Sequence, residues 1–387
     1  MELPPPEAAA LELSSRLQAE ILAAIDAAGG VLPFDHYMEM ALYAPGLGYY
    51  SNGLCKFGSG GDFVTAPELG DLFGRCLARA VAPVLAQTGG DLLELGAGSG
   101  VLAVDLLREL EALDALPRHY LILERSGDLR ARQQARLAGA LAGLPVRVQW
   151  LDSLPESGFE GVILGNEVVD ALPVKRFRWQ PQGSVELGVG HDGERLLEAT
   201  LPVSEPRLQR YIDTQASCHD WGPGYESEWC PSLAAWVEGL AGIMARGLML
   251  FTDYGYGRPE YCHPQRARGT LLCHYRHRVH ADALWLPGLQ DITAYVDFTA
   301  LAEAGAAAGL ELAGYTSQAQ FLLGCGLEAI VAELDPADTR NWLRKVSEMK
   351  TLVMPGEMGE RFKAMALARD IELLPVGFGG RDLRGTL

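Results

Sequence analysis

The chain has no uninterrupted apolar run long enough to cross a bilayer, so the sequence excludes a helical membrane span. It is short of positive charge: 32 Lys and Arg stand against 50 Asp and Glu, a formal net charge of −18. A nucleic-acid backbone or an anionic membrane surface is therefore an unfavourable main partner. The acidity fits a small molecule or a basic polypeptide as partner, and plain solubility explains it equally well. Cysteine is sparse. The seven (55, 76, 218, 230, 262, 273, 325) are odd in number, scattered and without a C-x-x-C, which points to a reducing compartment. The opening segment, Met-Glu-Leu-Pro-Pro-Pro-Glu, has no basic flank and no apolar signal core, and the first basic residue is Arg16. The expectation is a cytoplasmic protein without membrane insertion.

Two nucleotide signatures are missing as well. There is no phosphate-loop pattern with its lysine, and Val101 stands where a dinucleotide-binding turn would carry its third glycine. What is present is Asp91-Leu-Leu-Glu-Leu-Gly-Ala-Gly-Ser-Gly100, an apolar strand entering a glycine turn. A helix follows, with Ala103, Leu106, Leu107, Leu110 and Leu113 at helical spacing. Such a unit brings backbone close to a nucleotide-like ligand. Charge selects among ligands. Glu94 precedes Gly96, Gly98 and Gly100, and a second strand, Tyr120-Leu-Ile-Leu-Glu124, ends in another acid suited to ribose hydroxyls. S-adenosylmethionine has no phosphate but carries a sulfonium and an ammonium, which carboxylates attract. It is the expected cofactor.

At 387 residues the chain can bury more than one unit. Residues 8–29 read as a helix closed by Gly29-Gly30, 31–75 as ordered loops dense in Gly, Pro and aromatics, and 68–87 as a further helix. From 91 onward strands and helices alternate, with further strands at 146–150, 161–164 and 248–252 and helices at 126–142 and 232–246. This predicts an α/β fold built on a doubly wound parallel sheet with right-handed crossovers. The expected division is an N-terminal helical and loop cap over 1–87 and a catalytic domain over 88–387. That domain carries insertions at about 174–231, opening with a hairpin over 174–200, and at 254–290; both, with the N-terminal loops, are candidate walls of a substrate chamber. Tail helices are predicted at 297–309, 318–333, 338–347 and 357–369.

After the fourth strand comes Asn166-Glu-Val-Val-Asp-Ala-Leu-Pro173. If the chain turns helical after Glu167, Asp170 shares its face, and the two acids could grip a guanidinium and accept the proton lost on methylation. The competing reading has Asp170 capping a helix and Glu167 binding the cofactor or a backbone amide. Asn166 joins the expected cofactor contacts. Asp152, after the third strand, is placed for the adenine amino group or is an exposed loop acid. Asp62 and Thr65 either close over the methionine end of the cofactor or serve a turn or helix cap. Cys262-His263 and the Cys273–His277 run lack the spacing of a structural zinc site. No metal is expected, and His274 or His277 are candidate proton acceptors in a polar loop.

These residues resemble one family, the MidA-like or complex I assembly factor 7-type S-adenosylmethionine-dependent methyltransferases. The resemblance runs through Tyr37-Met38, Gly48-Tyr-Tyr50, Gly61-Asp-Phe-Val-Thr-Ala-Pro-Glu68, Leu93–Gly100, Gly165–Pro173, Asp253-Tyr-Gly255, Gly269-Thr-Leu271 and Gln290-Asp-Ile-Thr-Ala294 with Val296-Asp-Phe298. It implies a class I, Rossmann-like methyltransferase fold and protein arginine N-methylation of the respiratory-complex-assembly type, with an arginine-bearing protein as partner. Glu167 would match the first acid of the wider superfamily's arginine-clamping loop; the second acid there is more distant than Asp170. The absence of a mitochondrial presequence suggests a bacterial relative. Methylation of a small metabolite and an assembly factor without turnover stay open as alternatives, as does a homodimer.

Overall fold

The continuous apolar runs that flank the glycine turn form the inner strands of one sheet. In the computed structural model, which describes residues 3–54, 65–335, 337–372 and 376–387, its seven main strands are β1 (Asp91–Leu95), β2 (His119–Leu123), β3 (Arg147–Leu151), β4 (Phe159–Asn166), β5 (Met244–Tyr256), β6 (Glu311–Ser317) and β7 (Phe362–Arg369), and the two-residue strand Val296–Asp297 pairs beside the end of β5. Their order is β6-β7-β5-β4-β1-β2-β3. From β5 to β3 all neighbours are parallel, whereas β7 runs antiparallel to both β5 and β6. The sheet is thus mixed rather than wholly parallel. Leu92 and Leu93, like Leu164 and Ile163, are buried, so successive residues on both faces are covered. That double burial is why these strands read as unbroken apolar runs. Leu72–Thr88 and Val101–Ala112 supply much of the apolar cover, through Phe73, Leu77, Val81, Ala103, Leu106 and Leu107.

Two glycines let three strands converge. A Cβ on Gly161 would lie 2.0 Å from the Asp91 carbonyl oxygen, and one on Gly247 would lie 1.9 Å from the Gly161 carbonyl oxygen. Both residues have positive φ (132° and 144°), which adds to the requirement for glycine.

The tail departs from expectation. The helix predicted over 357–369 is strand β7, and Glu311–Ser317, not anticipated, is strand β6. Phe362-Lys-Ala-Met-Ala-Leu-Ala-Arg369 is alanine-rich without a clear period, and its position between two strands decides its conformation. The helix predicted over 318–333 is two, Gln318–Gly324 and Leu327–Ala332, broken at Gly326 with φ 84°. The one predicted over 338–347 continues to Val353. The segment predicted over 68–87 is a short helix, Ala66–Leu69, followed by Leu72–Thr88.

Cα proximity divides the chain into two compact units: Met1–Phe63, Asp170–Leu233 and Arg258–Tyr295 make one; Val64–Val169, Ala234–Gly257 and Val296–Leu387 make the other, which holds the large sheet. The first contains the helices Ala8–Ala27, Phe34–Tyr43 and Pro206–Cys218. Its five-stranded sheet includes the expected hairpin, as Lys175–Arg178, Val185–His191 and Leu196–Pro202 in antiparallel pairing. Leu32 and Pro33 pair with Val189 and Gly188 at one edge. A three-stranded sheet joins Leu272–Tyr275 to Arg278–His280 and Asp291–Thr293. The core of this unit gathers Leu17, Ile21, Phe34, Tyr37, Met38, Val189 and Ile292.

Candidate active site

Gly96, Gly98 and Gly100 all have left-handed backbone, with φ of 62°, 54° and 79°. That run turns the chain from β1 into the helix Val101–Ala112, with Gly96 exposed and Gly100 buried. The Gly96 amide donates to the Leu123 carbonyl at 3.1 Å, so the turn is tied to the end of β2. A Cβ on Gly100 would meet Leu137 Cδ1 at 2.9 Å.

Both acids expected at the turn are there, and both are buried. Glu94 is 2% exposed and accepts from the Tyr120 hydroxyl at 2.7 Å. Burial pushes its carboxyl up to about 7; the Tyr120 hydrogen bond opposes the shift, and the neighbouring Glu124 charge adds to it. Glu124 accepts from the Ser126 amide at 2.9 Å and from Gln133 Nε2 at 3.0 Å. Its carboxyl is also raised by burial, against hydrogen bonds from Ser126, Gln133 and Arg125 and the charge of Arg130.

Gln133 is the residue that the sequence did not reveal. Fully buried on Gly127–Ala140, it donates to the Gly98 carbonyl at 2.9 Å as well as to Glu124, and its Oε1 accepts from Trp150 Nε1 at 2.9 Å. One amide therefore links the glycine turn, the acid ending β2 and strand β3. Nothing in the helical pattern separates it from a solvent-facing glutamine.

A cavity of about 350 Å³ opens beside Glu124, lined by Arg125, Gly127, Arg130 and Asp152. Asp152 is 89% exposed and pairs with Arg130 Nη1 at 2.8 Å. Arg130 Nε and Nη2 are buried with no hydrogen-bond partner among the described residues, leaving donors for a ligand's acceptors. Thr65 is buried and precedes the helix Ala66–Leu69, but its side chain makes no cap hydrogen bond. Glu68, two residues into that helix, accepts a short hydrogen bond from Ser99 of the glycine turn. Asp62 lies outside the described residues.

At the end of β4, Asn166 Oδ1 accepts from Thr252 Oγ1 at 2.8 Å, and Asn166 Nδ2 donates to Glu167 Oε1 at 3.3 Å. The Glu167 amide donates to the Thr252 carbonyl at 2.9 Å, while its φ of 51° places a glutamate in the left-handed region. Such backbone costs about 1 kcal/mol or more and persists where the surroundings over-determine it, often at functional sites. No helix follows Glu167. The helical argument that would set Asp170 on its face, or make Asp170 a cap, therefore does not apply. Asp253, near the end of β5, accepts from the Val169 and Tyr254 amides at 3.0 and 2.9 Å, which ties the loop after β4 to the neighbouring strand. Asp170 itself is buried, and its carbonyl accepts from the Ala294 amide at 3.0 Å.

The glycine turn, the two buried acids and the cavity beside Glu124 suit an adenosine-bearing cation. Residues 76–316 match the family described as "Putative S-adenosyl-L-methionine-dependent methyltransferase". The chain is similar to a crystal structure of a protein from Burkholderia thailandensis bound to S-adenosyl-homocysteine, at 45% identity and a TM-score of 0.95, with 100% of both chains covered. It is also similar to protein arginine methyltransferase NDUFAF7, mitochondrial, of Homo sapiens, 29% identical over 87% of this chain and 80% of that one. The Caenorhabditis elegans homolog of that protein is 27% identical over 98% and 94%.

Proposed function

This chain belongs to the family of putative S-adenosyl-L-methionine-dependent methyltransferases, and we propose that it methylates arginine in a protein substrate. Similarity over 87–98% of this chain to proteins named as arginine methyltransferases carries the reading. When bound, S-adenosylmethionine supplies an electrophilic methyl group on a sulfonium. Every other contribution comes from the protein. Gly96, Gly98 and Gly100 bring backbone to the ligand, and Glu94 and Glu124 provide a fixed negative field in a buried setting, where charge acts more strongly than in water. Glu124 binds the ribose hydroxyls, with Gln133 holding its carboxylate in place. Asp152 and Arg130 border the adenine end, and Thr65 contributes near the methionine end.

Glu167 and Asp170 act on the acceptor. Glu167, oriented by Asn166 and by the strained backbone that Thr252 anchors, accepts a hydrogen bond from a guanidinium nitrogen and takes its proton as the methyl group arrives. Positioning and field supply most of the acceleration. The site of action we assign is the cytoplasm, on the scattered cysteines and their lack of a C-x-x-C pair. Among the described residues no helix is long and apolar enough to cross a membrane.

Two variants test the assignment. Glu167→Gln is expected to bind S-adenosyl-homocysteine as the wild type does and to lose turnover by roughly a hundredfold or more; unchanged turnover removes Glu167 from the chemistry. Incubation of lysate with methyl-labelled cofactor decides the acceptor class: label in protein supports the reading, and label confined to the small-molecule fraction overturns it.

A further inference from the structure

A second polar cluster is built from other segments, all within the unit that contains the N-terminal helices. The Tyr50 hydroxyl donates to Asp291 Oδ1 at 2.9 Å. Its ring stacks on that of Tyr43, with centroids 5.5 Å apart and planes 22° from parallel. The Tyr43 hydroxyl in turn donates to the Ala171 carbonyl at 2.9 Å. Burial, then the charge of Asp291, with smaller contributions from Tyr43 and Asp170, holds the Tyr50 phenol well above its ordinary range. Both carboxylates therefore bear on one neutral hydroxyl.

The strand Asp291–Thr293 orients the rest. Ile292 enters the apolar core, so Asp291 and Thr293 share the opposite face. Thr293 Oγ1 is buried, the residue being 2% exposed, and has no hydrogen-bond partner among the described residues. A buried hydroxyl without a partner costs stability unless something else satisfies it. The next residue, Ala294, bonds to the Asp170 backbone, which sets Thr293 between the two acids along the chain path. His274 stands opposite Asp291 in register, and burial pushes its imidazole down to about 4, so at neutral pH it brings no positive charge to this face.

We propose that Asp170, Asp291 and Thr293, together with the Tyr43–Tyr50 stack, form the subsite that holds the guanidinium of the acceptor arginine. The inference rests on the arginine reading above and adds the residues that recognise the side chain. A guanidinium offers five N–H donors in one plane and no acceptor. It demands several oxygens and favours an aromatic face, which this cluster combines. A lysine ammonium, a compact point charge, uses the plane and the stack poorly.

The test measures binding to the full chain saturated with S-adenosyl-homocysteine, by calorimetry or ligand-observed NMR. N-acetyl-L-arginine amide is the probe, with the lysine and citrulline amides as controls. The wild type is expected to prefer the arginine probe over both controls. Thr293→Val, which removes an oxygen without a hydrogen-bond partner among the described residues, and Asp291→Asn are each expected to weaken it roughly tenfold. Affinity for S-adenosyl-homocysteine should be unchanged in both. No preference for arginine in the wild type, or equal arginine binding in wild type and Thr293→Val, overturns the subsite. The two claims fail separately: arginine binding that depends on Thr293, in a protein that labels no arginine, would sink the methylation reading and keep the cation site.

Discussion

Glu94 is the residue whose chemistry turns most sharply on whether a cation is bound. Burial raises its carboxyl to about 7 from the ordinary value of 4.5, so below pH 7 the ligand-free fold favours the protonated form. Because the folded value lies above the unfolded one, its contribution to stability is complete below about pH 4.5 and is lost as pH rises to about 7. A sulfonium nearby reverses the preference, since the ionised acid then has a partner. Glu94→Gln should therefore stabilise the ligand-free protein at pH 8 by about 1–3 kcal/mol, with the gain vanishing near pH 4.5. The same change should weaken S-adenosylmethionine more than S-adenosyl-homocysteine, which lacks the sulfonium charge. Thermal unfolding across pH and calorimetry with both ligands read these effects; an equal loss for the two ligands would detach Glu94 from the charge. The sequence made Glu94 and Glu124 conspicuous because acids at strand ends beside a glycine turn form a local pattern. Tyr120 and Gln133, which restrain them, were not legible: their role arises from tertiary hydrogen bonds that leave no mark on the spacing of either element.

Among the elements, the inner strands of the large sheet were readable because double burial writes them as apolar runs. Strand β7 was not, because Ala-Met-Ala-Leu-Ala suits a helix as well as a strand, and only its neighbours β5 and β6 decide. The same tertiary pairing makes the sheet mixed. The loop after β4 shows the converse error: Glu167 to Asp170 carries the spacing of a helical turn, yet Glu167 takes a left-handed backbone while its amide and side chain are engaged by Thr252 and Asn166. Close approach among β1, β4 and β5 gives an element-scale test. Gly161→Ala would set a Cβ 2.0 Å from the Asp91 carbonyl oxygen at a positive φ. Backbone must move to admit it, so the expected cost exceeds about 3 kcal/mol, read as a large fall in the unfolding midpoint. Gly127→Ala, where a Cβ meets nothing within 4 Å, should leave that midpoint nearly unchanged. Comparable losses in the two variants would contradict this account of the strand junction.

At the scale of the molecule, neither unit is continuous along the chain, since each gathers three separate segments. The long connection after β4 was recognisable from its length. Its pairing through Val189 and Gly188 with Leu32 and Pro33 was not, because a two-residue edge contact has no periodic signature. Discontinuity also brings Tyr50, Asp170 and Asp291, remote in sequence, to one phenol. The glycine turn points to the methyl donor; the acceptor subsite proposed above draws on residues that no single motif contains. The most direct measurement is mass spectrometry of the proteome with and without this gene, with the deleted strain's lysate afterwards treated with purified protein and labelled cofactor. A methyl-arginine site should disappear on deletion and regain label on treatment with the wild type but not with Glu167→Gln. Methylation restored only on another residue type, or only on a small molecule, would contradict the account.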